Sequence, residues 1–295
     1  MISTDRDSRG KGAAPLDPDE PIALLAGAGR FPIAFAAKAR EAGLRVLTLG
    51  IRDHADPVLQ PLSWRYHSVG PFQMGRMITL ARQAGVRQVV MAGKLHKADL
   101  MYRPMRWWYW LPDWRTLSWW FFRNRRDNKD DTILLSVIEE WGRDGLKFAS
   151  ALDLCPELLV RPGVLTKREP TAAEQADIEF GWTLAKAMGG LDVGQSVMIK
   201  DRVAIAVEAI EGTDRAIQRA GELCRRGGFT VVKVAKPNQD MRFDVPTVGT
   251  QTVETIAKAG GKVLAIEADR TIVLDQPETI ELADRLGVSI VSLAR

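Results

Sequence analysis

Ile22-Ala23-Leu24-Leu25-Ala26-Gly27-Ala28-Gly29-Arg30-Phe31-Pro32 decides the fold. Its first five residues are an unbroken apolar run that stops at glycine, which is how a strand buried on both faces reads. Two glycines then turn the chain. Pro32 suits the first turn of a helix, where its missing N–H costs nothing. The pattern predicts a strand over 22–26 and a helix over 32–42, ended by Gly43. The unit recurs. A strand over 46–49 and a helix over 72–84, ended by Gly85, lead to a strand over 86–91. A helix over 131–143, ended near Gly145, leads to a strand over 147–151. Repeats of this kind predict a parallel, doubly wound, Rossmann-like sheet over 21–151.

Pro156, Pro162 and Gly163 predict a linker over 152–166. Beyond it the pattern resumes. Helices are expected over 174–188, 214–225, 251–259 and 278–286. Strands are expected over 196–200, 203–209, 229–235, 262–267, 271–274 and 288–293. The fold class is therefore α/β with two domains, the second an α/β domain over 167–295. A chain of 295 residues, 46% of them hydrophobic, can fill two cores. Residues 1–20 are rich in Asp, Gly, Pro and basic residues and carry no apolar stretch, so a disordered tail is expected rather than a secretory leader. No run of 18 apolar residues occurs, so no spanning helix is expected. Cys155 and Cys224 lack a CxxC spacing, which fits a reducing compartment and argues against a disulfide scaffold or zinc site. These features predict a cytoplasmic protein.

The formal charge of +4 is unevenly spread. Residues 101–126 hold six arginines against one aspartate, a balance of +5, so the remainder sums to −1. The same segment carries six of the nine tryptophans. Pro104, Pro112, Asp113 and the arginines forbid a spanning helix there. Tryptophan with arginine favours the membrane–water interface, so one reading is peripheral contact with the inner membrane. A homodimer interface and a buried aromatic core are the alternatives. Mild overall charge gives no support to a nucleic-acid partner.

The densest chemistry lies in Lys233-Val-Ala-Lys236-Pro-Asn-Gln239-Asp240-Met-Arg242-Phe-Asp244-Val-Pro246. It follows an apolar, β-rich run and reads as a loop at a strand end. Its cations can neutralise phosphate oxygens; its acids can hold Mg²⁺ or take a proton from water. A solvated charged loop is the plainer reading. Just upstream, Glu208-Ala-Ile-Glu211-Gly212-Thr213-Asp214 forms an acidic turn. Thr213 or Asp214 can cap the next helix, but a cap needs only one residue. Glu208 and Glu211 then remain as hard oxygen ligands for a cation. Gly194 and Gly212 would let the backbone approach a ligand closely. No histidine occurs in the second domain, so proton work there falls to carboxylates or a metal.

In the first domain, Gly27-Ala28-Gly29-Arg30 after a strand suits a dinucleotide or other phosphate, with Asp53 as the ribose acid, or simply a tight turn. Ala92-Gly93-Lys94-Leu95-His96-Lys97 offers a second basic turn at a strand end.

Together, Ala26–Pro32, Val90–Lys94, Asp192–Gln195, Val207–Asp214 and Lys236–Gly249 resemble the UDP-2,3-diacylglucosamine pyrophosphatases of the non-calcineurin type, the LpxI family, across residues 21–293. The Glu267-Ala268 and Ala283-Asp284 pairs also fit. The chain departs from the family after Lys94, where an Arg-Pro pair gives way to Leu95-His96-Lys97. The resemblance implies a Gram-negative enzyme of lipid A biosynthesis that uses Mg²⁺ or Mn²⁺. Its reaction would hydrolyse UDP-2,3-diacylglucosamine to UMP and 2,3-diacylglucosamine 1-phosphate. The resemblance carries an essential aspartate to Asp240, with Asp244 as alternate; the residue chemistry agrees, since Lys233, Lys236 and Arg242 would stabilise the negative charge that develops on the diphosphate. Asp240 would bind the metal or orient water, with Glu208, Glu211, Asp214 and Asp244 as further metal ligands or as acids behind them. Gly27, Gly29, Arg30, Phe31, Gly93, Lys94, Gln195, Thr213 and Gln239 would contact substrate. The rival readings are an NAD(P)-dependent oxidoreductase built on the glycine turn and a non-catalytic lipid- or nucleotide-binding protein.

Overall fold

The apolar run 22–26 is the central strand of a parallel sheet. A computed structural model describes residues 19–94, 111–122, 130–237, 239–242 and 245–295. They fall into two units: residues up to Pro156 together with 240–242, and the rest of the chain from Glu157.

The first unit runs β1 (Ile22–Ala26), α1 (Phe31–Glu41), β2 (Val46–Ile51), α2 (Leu59–Leu62), β3 (Arg65–Val69), α3 (Met74–Gln83), β4 (Gln88–Ala92), α4 (Trp114–Phe122), α5 (Asp130–Gly142) and β5 (Lys147–Ala149). The strand order is β3-β2-β1-β4-β5, all parallel. Gly43 and Gly85 follow α1 and α3 with φ of 73° and 72°, the left-handed conformation that ends a helix. Three elements of this unit escaped the sequence reading, one of them the four-residue α2. β3 is an edge strand, Arg65-Tyr66-His67-Ser68-Val69, whose mostly polar run carries no apolar period. α4 forms inside the aromatic segment, where apolar residues on nearly every face hide the helical repeat.

The second unit continues with β6 (Gly163–Val164), α6 (Ala172–Gly190), β7 (Ser196–Lys200), β8 (Val203–Val207), α7 (Thr213–Leu223), β9 (Thr230–Lys233), β10 (Thr247–Val248), α8 (Thr250–Lys258), β11 (Val263–Glu267), β12 (Ile272–Val273), α9 (Gln276–Leu286) and β13 (Ser289–Leu293). Its six-stranded sheet has the order β6-β13-β11-β9-β7-β8, while β10 pairs with β12 alone. β9, β11 and β13 are parallel, and β7 runs antiparallel to both β8 and β9. One face packs Met198, Val231 and Leu264 against Ile217, Ile256 and their neighbours. The other packs Val197, Ile199 and Val232 under Ile178 and Trp182 of α6. A Cβ on Gly181 would lie 2.7 Å from Val232, so α6 presses on the sheet at a point where only glycine fits. The β7–β8 hairpin turns through Asp201 and Arg202, both with positive φ (52° and 60°). Their N–H groups donate to the buried Asp177 carboxylate at 3.2 and 2.6 Å, which holds a turn that glycine would otherwise favour.

α6 begins with a capping box. Glu174 N–H donates to Thr171 Oγ1, Thr171 N–H donates to Glu174 Oε2, and Arg168 grips both carboxylate oxygens at 2.6 and 2.7 Å. Burial alone would raise the Glu174 pKa, but bonds from Thr171 and Arg168 overcome it and hold the group below the usual carboxylate value. A carboxylate whose pKa folding lowers adds stability above its unfolded pKa, and that stability drains away as pH falls through the lowered value. Glu174→Gln should therefore reduce the unfolding free energy in urea by about 1–2 kcal/mol at neutral pH. The gap should close as the pH drops below the usual carboxylate range; a gap independent of pH would show that the charge is immaterial.

Candidate active site

One edge of the second sheet carries the carboxyl ends of β8, β9, β11 and β13 and the start of β7. Sheets of this class bind ligands at that edge. Ser196 opens β7, Glu208 follows β8, Lys233 ends β9, and Thr213 opens α7. These four meet. Lys233 is 2% exposed, and its Nζ donates to Thr213 Oγ1 at 3.2 Å and to the Thr247 carbonyl at 3.1 Å. Thr213 Oγ1 donates to Glu208 Oε1 at 2.9 Å and lies 3.4 Å from Ser196 Oγ. Glu208 is buried, and its Oε2 makes no hydrogen bond to the described residues; Gln195 Oε1 is in the same position.

The glycines here have local reasons. A Cβ on Gly194 would sit 2.1 Å from the Glu208 carbonyl oxygen, so the backbone it admits is the chain's own rather than a ligand's. Gly212 is the N-cap of α7 with φ of 83° and no side-chain cap. The expected cap by Thr213 or Asp214 is thereby corrected: the Thr213 hydroxyl is spent on Glu208 and Lys233.

The acids do not gather as a group. Glu211 is ion-paired with Arg219, which also donates to the Val207 carbonyl at 2.7 Å. Burial would raise the Glu211 pKa, but bonds from its own N–H, Arg219 and Ala209 hold it below the usual range. Asp214 accepts from Gln251 Nε2 at 3.1 Å. Asp240 belongs with the first unit, and its two oxygens are taken by Arg242, whose Nε donates at 2.9 and 3.1 Å. That bond lifts the Arg242 pKa above its ordinary value. Met241, between them, accepts a hydrogen bond from Ser150 Oγ at 3.2 Å, which ties the loop to the end of the first sheet. Lys236 pairs with Asp192 at 2.6 Å. Gln239 is buried; its side chain accepts from Lys236 N–H at 2.7 Å and its N–H donates back to the Lys236 carbonyl at 3.2 Å. Asp244 lies outside the described residues. Among the described residues no group of three or more Asp, Glu, His or Cys is placed to hold a metal. A cage built of protein acids is thus not what these residues fit. Mg²⁺ is often held by one or two carboxylates together with substrate phosphates; Asp240 would have to exchange its bonds to Arg242 for such an ion.

In the first unit, strand order reverses between β1 and β4, and the turns after those strands meet. Ala28 and Lys94 exchange backbone hydrogen bonds at 2.8 and 2.9 Å, and Gly27 N–H donates to the Ala92 carbonyl at 2.9 Å. A Cβ on Gly27 would fall 2.7 Å from the Lys94 carbonyl oxygen, and one on Gly93 2.8 Å from that of Ala28. These glycines serve the contact between the turns, and two of the N–H groups expected to face a phosphate are spent in it. Gly29 has φ of 103° and open space beside it. Gly29, Arg30, Gly93 and Lys94 are exposed, while Phe31 is buried. The turns stand at the switch point of the sheet, the usual ligand crevice of a doubly wound fold.

The aromatic segment divides. Residues 101–110 and 123–126, like His96 and Lys97, lie outside the described residues. On α4, Trp119 is buried in the core with Met77 and Trp141, which settles a core role for that tryptophan. Trp114 is 81% exposed and Phe121 62%. Arg115, facing inward, donates to Glu140 and pairs with Asp144.

Two charged residues that no functional reading had assigned also stand near this edge of the second sheet. Lys186 on α6 and Glu267 at the end of β11 pair at 2.7 Å. The usable signal was a glutamate closing the apolar run 263–266, an acid at a buried strand end.

Residues 21–158 match the LpxI N-terminal domain and residues 161–291 the LpxI C-terminal domain. The UDP-2,3-diacylglucosamine pyrophosphatase LpxI of Caulobacter vibrioides is 30% identical over 282 residues, covering 92% of this chain and 97% of that protein. The bifunctional purine biosynthesis protein PurH of Deinococcus deserti is 32% identical over 148 residues, 47% of this chain and 24% of that protein. A GalE-like L-threonine dehydrogenase from Cupriavidus necator aligns over 93% of this chain and 86% of its own, at 12% identity and a TM-score of 0.32, too low to carry an argument. Matched in both halves and related along nearly its whole length, the chain belongs to the LpxI family.

Proposed function

We propose that this chain hydrolyses the diphosphate of UDP-2,3-diacylglucosamine to UMP and 2,3-diacylglucosamine 1-phosphate, a step of lipid A biosynthesis. The observation that carries the reading is the full-length likeness to the Caulobacter pyrophosphatase. Diphosphate hydrolysis needs cations on the phosphate oxygens and an acid to orient water or a metal. Lys233, Lys236 and Arg242 supply the cations, and Asp240 the acid. Mg²⁺ or Mn²⁺, when bound, would neutralise the diphosphate, with Asp240 as the protein ligand best suited to it. Glu208 accepts a hydrogen bond from Thr213 at the sheet edge, and Gln195 and Gln239 would contact substrate through their amides. Gly29, Arg30 and Lys94 offer a second anion-binding surface at the switch point of the first sheet. The test is UMP release from UDP-2,3-diacylglucosamine with and without Mg²⁺. Absence of UMP from folded protein in both conditions refutes the reading.

The proposal includes peripheral contact with the inner membrane through 101–126, where an acylated substrate would be met. Among the described residues no helix is long and apolar enough to cross a membrane. Trp114 and Phe121 expose aromatic surface beside an arginine-rich sequence, the composition of an interfacial contact. Burying two aromatic side chains is worth several kcal/mol, so Trp114→Ser/Phe121→Ser should weaken binding to vesicles containing anionic lipid by about tenfold or more. Unchanged co-sedimentation would refute the contact. A change in sedimentation without vesicles would assign the face to a second copy instead.

A further inference from the structure

Ala235 is the residue at which the chain leaves β9 for the loop that carries Lys236, Gln239, Asp240 and Arg242. The β9–β11 ladder stops at Lys233 and Ile266, so Ala235 has no strand partner on that side. It is nevertheless buried, and a buried peptide without partners is costly. Side chains replace the ladder. Ala235 N–H donates to Glu267 Oε2 at 2.8 Å, and the Ala235 carbonyl accepts from Lys186 Nζ at 3.0 Å. The same Nζ and Oε2 bond each other at 2.7 Å, closing a ring around one residue. The Glu267 side chain is 5% exposed. A Cβ on Gly189, one turn further along α6, would lie 3.3 Å from Lys236 Cα, so the helix that brings Lys186 also abuts the next residue of the loop.

A buried ion pair is a poor stabiliser compared with well-packed apolar side chains. What this one does uniquely is satisfy both polar groups of the exit residue in a single orientation. We infer that Lys186 and Glu267 are positioning residues: they clamp the Ala235 peptide and so aim Lys236 and Gln239 at the substrate. The inference rests on the pyrophosphatase reading for its catalytic consequence, but the clamp can be read without it.

The experiment compares wild type, Glu267→Gln, Lys186→Met and the apolar pair Lys186→Met/Glu267→Leu. A misplacement of about 1 Å in a reacting group costs about 10²-fold in rate, so all three variants should lose about that much kcat, with a smaller change in KM. The apolar pair leaves the buried Ala235 N–H and carbonyl without these partners, so it should melt below wild type, yet it should remain slow when assayed at temperatures where it is fully folded, an outcome that a purely stabilising role would not give. Amide exchange at Ala235 and at the non-proline residues of 236–242 should accelerate in every variant, with amides of β11 and α6 unchanged. Wild-type kcat in the apolar pair, or unaltered exchange at Ala235 and 236–242, overturns the clamp. Absence of UMP release by wild type refutes the pyrophosphatase reading alone, because the exchange comparison still decides the clamp.

Discussion

Asp240→Asn should lower kcat for UMP release by about 10³-fold or more, with KM little altered. The substitution keeps shape and removes the charge that would orient water or a cation. It also takes from Arg242 the carboxylate that holds its guanidinium, so the arginine is freed toward phosphate rather than withdrawn. If Arg242 alone carried the chemistry, the variant would gain activity. Asp240 and Arg242 sit in a loop whose described backbone is tied at Met241 to Ser150, and the lost ion pair should cost only about 1 kcal/mol of stability. A large loss of rate with a melting temperature near wild type is therefore the expected pair of results. Retained turnover would move the essential acid elsewhere, with Asp244 next to test.

Lys233→Met should be harmful in both respects. Lys233 is buried and supplies the donors for Thr213 Oγ1 and the Thr247 carbonyl. Its removal leaves those acceptors short of a bond and the Glu208 carboxylate without a cation one hydroxyl away, a cost of about 2–4 kcal/mol. Activity should fall to the limit of detection. Thr213→Val, which breaks the link but keeps the charges, should cost about 1 kcal/mol. The network makes a sharper demand: Lys233→Met/Glu208→Gln should be less unstable than the sum of its parts, with a coupling of about 0.5–3 kcal/mol in thermal unfolding. Strict additivity would show that the two charges do not sense each other through Thr213.

The parallel sheet of the first unit was legible because each of its strands but β3 is an apolar run cut off by glycine or a polar turn. β3 was not, because an edge strand with one partner needs little apolar sequence. α4 was hidden by its own richness in aromatics; exposure separates Trp119 from Trp114 only once the helix is placed. At the site, the positions at the strand ends were readable as residue types: Lys233, Glu208 and Thr213 do converge. Their purposes were less so. Gly27, Gly93 and Gly194 looked like room for a ligand, yet each admits a neighbouring carbonyl of the chain itself. Glu211 and Asp214 looked like metal ligands, yet one is held by Arg219 and the other by Gln251, partners 8 and 37 residues away. Spacing along the chain cannot show such long-range partners. Lys186 and Glu267 are the same case: their separation of 81 residues conceals a bond around one peptide.

The most direct measurement is turnover of UDP-2,3-diacylglucosamine by the purified wild-type chain, followed as UMP and 2,3-diacylglucosamine 1-phosphate. The account predicts that the two products appear in equal amounts and that Asp240→Asn abolishes both. Folded wild-type protein that releases neither product, with or without a divalent cation, would contradict it.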